Sequence, residues 1–184
     1  AINHTDAIGT VAVGSSSLES ITSGIGNVAV GYQSLSQEDD GDYNTAIGHQ
    51  ALTAQTGVSG GTYNTAVGYQ AMAANLIGIN NTALGYGALD TDDYGSGSTA
   101  IGYHALHGQN TSGTSEVATG NTAVGYRAGR WNATGTNNTW LGYGAGTGPS
   151  SNSNSNNTGV GYNVLTAITD GEGNTAIGTN AMSQ

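Results

Sequence analysis

The stretch Asn64–Met72, which reads NTAVGYQAM, recurs with small changes about ten times along the chain. Close copies are NTAIGHQAL at residues 44–52 and NTALGYGAL at residues 81–89. We number the positions of each copy from its glycine, so that Gly68 is position 0, Asn64 is position −4 and Met72 is position +4. A repeat at a fixed period indicates a stack of similar structural units, and it has to be interpreted before any single residue.

The spacing of these glycines gives the length of one unit. Six of the nine intervals are 17 residues, and the other three are 20, 23 and 19. A constant period with occasional lengthening predicts one coil per repeat, with the additional residues in loops at 53–62, 107–119 and 147–155. The glycines are Gly14, Gly31, Gly48, Gly68, Gly85, Gly102, Gly125, Gly142, Gly161 and Gly178.

Seventeen residues are too few for two helices and suit a coil of two short strands and two turns. Positions −3 and −1 share one face of a strand, and position −1 is aliphatic in every copy. We therefore expect the aliphatic side chain and the threonine at −3 to face the core, and the alanine at −2 to face outward. Under this facing, Leu84→Asp would be severely destabilising because it would bury an unpaired charge.

A second short strand is expected after the glycine, with leucine or methionine at +4 forming another inward row. The asparagine at −4, present in eight copies, is expected to form a ladder of side-chain amides. Gly129 and Gly146 interrupt the row at +4, and we expect Trp131 and Trp140 to rebuild the core beside them. The sequence thus predicts an all-β, parallel β-solenoid of about ten coils, as a single domain over residues 1–184.

The outward alanines expected at −2 would form an uncharged apolar stripe, which is typical of an interface. Three chains around a threefold axis would cover such a stripe, so we expect a homotrimer. The alanines of this predicted trimer interface are Ala29, Ala46, Ala66, Ala83, Ala100 and Ala123.

The composition disfavours several classes of partner. The net charge is −10 and the chain has two Arg and no Lys, so we expect no nucleic-acid partner, because phosphate neutralisation needs basic side chains. No apolar run approaches the ~20 residues of a membrane span, and we expect no membrane insertion. The chain has no cysteine, and no motif predicts a cofactor.

The repeats resemble two families of surface fibres. The segments GNVAVG at 26–31 and GNTAIG at 173–178 are similar to the head repeats of trimeric autotransporter adhesins. The fuller NTAIGYQAL pattern resembles repeats of phage tail fibres. The resemblance covers about residues 10–182 and implies a left-handed, trimeric β-roll used in extracellular attachment. The adhesin heads have coils of about 14 residues, whereas this chain has 17. We expect a fragment or mature section of a longer fibre, on a virion tail or a bacterial surface.

Acidic residues cluster in two loops that follow position +4. Oxygen-rich loops of this kind can bind Ca²⁺, although neither loop has EF-hand spacing, and a solvated loop is the alternative. The candidate calcium ligands are Asp39, Asp40, Asp42, Asp90, Asp92 and Asp93.

Tyrosine at +1 recurs in seven copies and is the main candidate for a binding surface. Rows of tyrosine are favoured at interfaces, and these could hold sugars of a host-cell receptor or pack between chains of the trimer. The candidate ligand or inter-chain residues are Tyr32, Tyr69, Tyr86, Tyr103, Tyr126, Tyr143 and Tyr162, together with Trp131 and Trp140.

These patterns predict that the chain is a non-catalytic section of an extracellular fibre and serves as spacer and receptor-attachment surface. The favoured kind of fibre is a phage tail fibre. A bacterial adhesin head and a polysaccharide-degrading tail spike are alternatives. We do not expect an enzyme, because no pair of acids falls on strand positions that would face a cleft. Ice binding by a threonine row is a further alternative, disfavoured by the inward facing expected for the threonines.

Overall fold

A computed structural model, which describes residues 7–56, 60–111, 113, 115–150 and 152–184, shows an all-β parallel solenoid of about nine turns. Among these residues no helix is long and apolar enough to cross a membrane. The strands are β1 (Val11–Val13), β2 (Val28–Val30), β3 (Gly41–Asp42), β4 (Thr45–Ile47), β5 (Gly60–Gly61), β6 (Thr65–Val67), β7 (Thr82–Leu84), β8 (Gly95–Ser96), β9 (Thr99–Ile101), β10 (Val117–Ala118), β11 (Thr122–Val124), β12 (Thr139–Leu141), β13 (Thr158–Val160) and β14 (Thr175–Ile177).

The main sheet joins the three-residue strands of successive coils in parallel, in the order β1-β2-β4-β6-β7-β9-β11-β12-β13-β14. Equivalent positions pair throughout. Thr45 pairs with Thr65 across a 20-residue interval, and Thr99 pairs with Thr122 across 23 residues. The lengthened repeats therefore leave the sheet register unchanged, as predicted. Residues 57–59, 112, 114 and 151 of the predicted loops lie outside the described residues.

The predicted facing of the main strand is wrong. The alanines at −2 point into the solenoid, and the side chains at −3 and −1 point outward: Ala83 is fully buried, whereas Leu84 beside it is 46% exposed. The predicted trimer-interface stripe is therefore core in each single chain, with every alanine at 0% exposure: Ala29, Ala46, Ala66, Ala83, Ala100 and Ala123.

The narrow cross-section of the coil explains this facing. The predicted inward row at +4 is confirmed, and Leu52, Met72, Leu89 and Leu106 lie in the same core cluster as the alanines. These long side chains fill the interior from the far side, so the main strand can contribute only methyl groups where the two walls meet. Large residues opposite small ones fill a thin core at native density, and a second aliphatic row would overpack it.

The glycine at position 0 ends the main strand in a conformation that needs the absence of a Cβ atom. Gly68 has φ of 138°, which side-chain-bearing residues rarely adopt. A Cβ atom at Gly68 would also press against the carbonyl oxygen of Gly85 in the next coil, closer than real Cβ atoms approach. The strand row and the close stacking of coils both depend on this glycine column.

The segment after the glycine is a series of turns, not the second strand that the sequence predicted. Gln70 and Met72 both have left-handed φ angles, 53° and 52°, and this alternation repeats in the other coils. Their N–H groups donate in opposite directions along the solenoid: Gln70 to the His49 carbonyl and Met72 to the Ala88 carbonyl, each at 3.0 Å. The additional strands lie before the asparagine instead, where β3 pairs with β5 and β8 with β10.

The asparagines form the predicted ladder, but most of its bonds join a side chain to the backbone of a neighbouring coil, and direct amide-to-amide bonds link the later coils, from Asn121 to Asn174. The backbone N–H of Asn64 donates to Asn44 Oδ1 at 3.0 Å, and the N–H of Asn81 donates to Asn64 Oδ1 at 2.9 Å. The Asn64 Nδ2 group donates to the Gly78 carbonyl at 2.7 Å. The Asn64 side chain thus satisfies an N–H and a carbonyl of the next coil, which explains why the residue type recurs.

Tryptophan rebuilds the core at one of the two expected places. Trp140 occupies position −2 of its coil and is fully buried, in the space that glycines leave at Gly129, Gly146 and Gly159. Trp131 is only partly buried and lies on the surface of the solenoid. The prediction therefore holds for Trp140 and is wrong for Trp131.

The facing predicts different effects on stability for substitutions at two neighbouring residues, Ala83 and Leu84. Ala83→Leu should lower the free energy of unfolding by at least roughly 1–3 kcal/mol because the thin core has no space for the larger side chain. Leu84→Asp should cost a single chain less than about 1 kcal/mol because its site is in contact with solvent. Urea denaturation of both variants, at a dilution where sedimentation shows single chains, checks this, and a larger loss for Leu84→Asp than for Ala83→Leu would contradict the facing described here.

Candidate functional site

The outward side of the main sheet is a regular surface that runs across all ten of its strands. We call it the outer face and define it by positions −3 and −1 of the ten main strands. Its rows are threonine or valine and aliphatic residues, with Val13, Ile47, Leu84, Leu141 and Ile177 between 40% and 71% exposed. No position of either row carries a charge in the sequence. Exposed apolar surface that is continuous over many strands is typical of an interaction site.

A row of stacked rings borders the outer face at position +1. We call it the ring ladder, and it includes His49 because this residue takes the place of a tyrosine. Successive ring centroids lie 4.8–5.3 Å apart. The ladder consists of Tyr32, His49, Tyr69, Tyr86, Tyr103, Tyr126, Tyr143 and Tyr162.

Stacking limits what the ring ladder can bind. The planes of Tyr69 and Tyr86 are inclined by only 12°, so neighbouring rings cover each other's faces. Tyr69 is 42% exposed, and its free surface is mainly ring edge and hydroxyl. A sugar that binds by lying flat on an aromatic ring needs a free face, so the interior rings of the ladder offer hydrogen-bonding edges rather than stacking platforms.

The interior contains a polar row that the sequence analysis missed. It lies at position +7 in six successive coils, and we call it the polar column. The sequence does contain a signal for this row, because polar residues recur seven positions after the glycine in these six repeats. The column consists of Glu38, Gln55, Asn75, Asp92, Gln109 and Asn132, each at most 1% exposed.

The polar column accounts for one of the predicted calcium ligands. Asp92 Oδ1 accepts hydrogen bonds from Gly95 N, Thr111 N and Thr111 Oγ1, at 3.2, 3.1 and 2.6 Å, and its Oδ2 accepts one from Gln109 Nε2. The carboxylate is thereby satisfied inside the coil. Asp90 pairs instead with His107 Nδ1 at 2.5 Å, so the predicted set Asp90, Asp92 and Asp93 does not converge on one point.

The other acidic loop groups Asp39 and Asp40 with Glu38 rather than with Asp42, and oxygens of these three carboxyl groups lie within 4.8 Å of one another. Asp42 instead accepts a hydrogen bond from the Ile25 N–H at 2.8 Å. Burial raises the pKa of Glu38 to about 7, against the hydrogen bond that the Gly41 N–H donates to its Oε1. Asp39 is exposed and Asp40 is partly exposed, which fits the alternative of a solvated loop, with Glu38 as its buried acid.

Basic side chains gather on one edge of two successive coils. His104 stacks on Tyr103 at 4.2 Å and on His107 at 4.3 Å, and Arg130 lies 4.4 Å over the Trp131 ring. Burial, with the nearby His107, lowers the pKa of His104. The two histidine rings lie face to face, a geometry in which their nitrogens do not converge on a common metal ion. This edge is a local concentration of basic groups on a strongly acidic chain.

An open groove of about 390 Å³ lies next to this edge, in the part of the chain that the structure describes. Its floor is the buried backbone of Gly144, and Arg127, Thr147 and Asn163 are among its walls. Tyr143 of the ring ladder forms another wall. We call this feature the Arg127 groove; the sequence analysis did not identify it, because Arg127 follows no motif.

Comparisons with protein-family models, curated proteins and solved structures gave no match to this chain.

The buried acid of the polar column makes stability depend on pH. Because the pKa of Glu38 rises from 4.5 to about 7 on folding, the folded chain binds this proton more tightly than the unfolded chain does. The free energy of unfolding should therefore fall by about 3 kcal/mol as pH rises from 4.5 to 7, and the loss should remain above pH 7. Urea denaturation across this pH range measures the effect.

Glu38→Gln should remove that loss, since an amide oxygen can still accept the Gly41 N–H bond, which is 2.7 Å long in the native chain. At pH 8 the variant should be more stable than the native chain by about 1–3 kcal/mol. Glu19→Gln, at an exposed acid, is the matched control and should leave the pH profile unchanged. Equal pH profiles for Glu38→Gln and the native chain would refute the assignment.

Proposed function

We propose that this chain is a structural and adhesive section of an extracellular fibre, assembled as a homotrimer through the outer face. The observation that carries the proposal is the exposed, charge-free apolar row at position −1, exemplified by Leu84 at 46% exposure. A single thin solenoid leaves this row in water, and burying an aliphatic side chain contributes roughly 1.5–3 kcal/mol. Three copies around one axis would bury about ten such side chains per chain.

The shape of the molecule supports a spacer role. Coils stack in register, with parallel pairing from Val11–Val28 to Thr158–Thr175. A stack of this kind transmits load along its axis through backbone hydrogen bonds and can be lengthened by adding coils. The resemblance to tail-fibre repeats favours a phage tail fibre, with a left-handed coil. A bacterial adhesin head of the same architecture is the alternative.

The distribution of acids supports a non-catalytic role. Glycoside hydrolysis needs two carboxyl groups about 5–10 Å apart across a cleft. Among the described residues, the three acidic side chains whose oxygens lie within 4.8 Å of one another, Glu38, Asp39 and Asp40, are in a loop, and the Arg127 groove has no acid in its walls. A polysaccharide-degrading spike is therefore the less favoured function, and incubation with capsular polysaccharide followed by size measurement tests it.

Ice binding is a second candidate that one specific observation favours. The threonines at −3, which the sequence placed in the core, point outward, and Thr65, Thr82, Thr122, Thr139 and Thr175 are exposed. Their rows repeat at the strand spacing of ~4.8 Å on a regular face. A trimer would cover these threonines, so the two functions exclude each other on the same surface. Thermal hysteresis from a chain that sediments as a monomer would favour ice binding.

Assembly through the outer face can be tested by one charge. Leu84→Glu should dissociate the trimer because three carboxylates would be brought together in an apolar interface. Sedimentation equilibrium of the native chain should give the mass of three chains, and the variant the mass of one. Thr134→Glu introduces the same charge at an exposed position outside the outer face and should leave the trimer intact. A native chain that remains monomeric at millimolar concentration would refute the trimer.

A further inference from the structure

The Arg127 groove arises from an interruption in a regular row. At position +2, Gln33, Gln50 and Gln70 form a ladder in which each Nε2 donates to the preceding Oε1 at 3.0 Å. Further along the solenoid this position is Gly87 and Gly144, and each glycine removes one side chain from the row. A missing side chain in a continuous ladder leaves a notch on the surface.

The two notches differ in what fills them. At Gly87 the ring of His104 lies over the glycine, with Cδ2 3.1 Å from where a Cβ atom would stand. At Gly144 the Asn163 side chain of the next coil covers the glycine, with Oδ1 closer than real Cβ atoms approach to where a Cβ atom would stand. Both notches are therefore covered by the side chain at +2 of the next coil, but at Gly144 that side chain is a short amide, and an open volume of about 390 Å³ remains between Arg127, Thr147 and Asn163.

Arg127 gives the groove its chemical character. Its guanidinium lies 4.9 Å from the centroid of the Tyr126 ring, and its Nε is buried with no hydrogen-bond partner. Within the described residues, the single ion pair joins His107 and Asp90, so Arg127 has no carboxylate partner. An arginine held in place with unused donors, on a chain of net charge −10, is suited to an anionic group from outside.

The remaining walls are suited to hydroxyl groups. Thr147 Oγ1 donates to the Gly144 carbonyl at 2.8 Å, which leaves its lone pairs free to accept. Asn163 covers Gly144, lines the open volume beside it, and offers both an amide donor and an acceptor. Tyr143 is half exposed and presents its hydroxyl and edge. A volume of this size matches the lower part of the range for small-ligand sites, roughly 300–1,000 Å³.

From these observations we infer that the Arg127 groove binds an acidic saccharide, with Arg127 holding the sugar carboxylate as a two-pronged donor. Thr147 and Asn163 bond to sugar hydroxyls, and the open side of the groove lets a longer glycan run along the solenoid. The inference rests on the proposed attachment function and specifies its ligand class. The groove lies after the glycine bend and the outer face before it, so glycan binding and trimer assembly use different residues.

Isothermal titration of the 184-residue chain tests the inference at low ionic strength. The probes are trigalacturonate, sialyllactose and a hyaluronan tetrasaccharide, each up to about 10 mM. At least one should bind, and its carboxyl methyl ester should bind about tenfold or more weakly, because the ester has lost the anionic partner of Arg127. Inorganic phosphate separates a saccharide site from a general anion site, and phosphate binding as tight as the best saccharide would overturn the inference.

Three variants assign the binding to the groove. Arg127→Gln restores the residue type that three other coils carry at the same left-handed φ, so it should fold normally and weaken binding about tenfold or more. Asn163→Gly should weaken binding by removing the amide that bonds the sugar hydroxyls while leaving Arg127 in place, and glycine suits the left-handed φ of 48° at this position. Arg130→Gln removes a nearby charge that does not line the groove, and it should change the affinity less than about threefold.

The outcomes separate this inference from the proposed fibre function. Binding to none of the three probes, or equal binding by Arg127→Gln and the native chain, overturns the acidic-saccharide site. Sedimentation of the same samples reports assembly independently. A trimer that binds no acidic saccharide would support the fibre proposal and overturn the saccharide site. A monomer that binds an acidic saccharide through Arg127 would support the saccharide site and overturn the trimeric fibre.

Discussion

In-register stacking of coils is the constraint on which the rest of this structure depends. Each residue of the repeat lies above its equivalent in the next coil, so that Ala46 pairs with Ala29 on one side and Ala66 on the other. Because the backbone of each coil hydrogen-bonds in register to the next, every residue type of the repeat recurs along the solenoid at the strand spacing. The asparagine ladder, the glycine column and the ring ladder are all consequences of that geometry.

The small cross-section then decides which residues can be inside. A coil of 17 residues has two walls close together, and the leucine at +4 reaches most of the way across. The opposite wall can supply only the methyl groups of Ala66 and its equivalents, and the polar column fills the remainder with hydrogen-bonded amides and acids. Because the interior is filled in this way, the larger aliphatic side chains have no place except the outer face. The exposed apolar outer face is therefore a direct result of the small volume of the interior.

Departures from the repeat mark the places where the surface differs from coil to coil along the solenoid. Trp140 replaces an alanine and is accommodated by nearby glycines, a repair confined to the core. Gly144 and Arg127 depart from the glutamine row on the surface, and together they create a groove with a cation beside it. A regular solenoid presents the same chemistry in every coil, so recognition of a specific ligand has to come from such interruptions.

The sequence by itself determined the architecture. The glycine intervals predicted parallel coils with loops at the lengthened repeats, and the recurrence of asparagine predicted the amide ladder, because both patterns act along the chain at a fixed period. The facing of Ala83 and Leu84 was decided only by the tertiary structure. Alternation along a strand shows that neighbouring side chains point in opposite directions, but it does not show which of the two faces the core. The usual preference for larger aliphatic residues in the core gave the wrong answer for this strand. The Arg127 groove was likewise outside the reach of the pattern, since it depends on side chains from three successive coils that meet only when the coils are stacked.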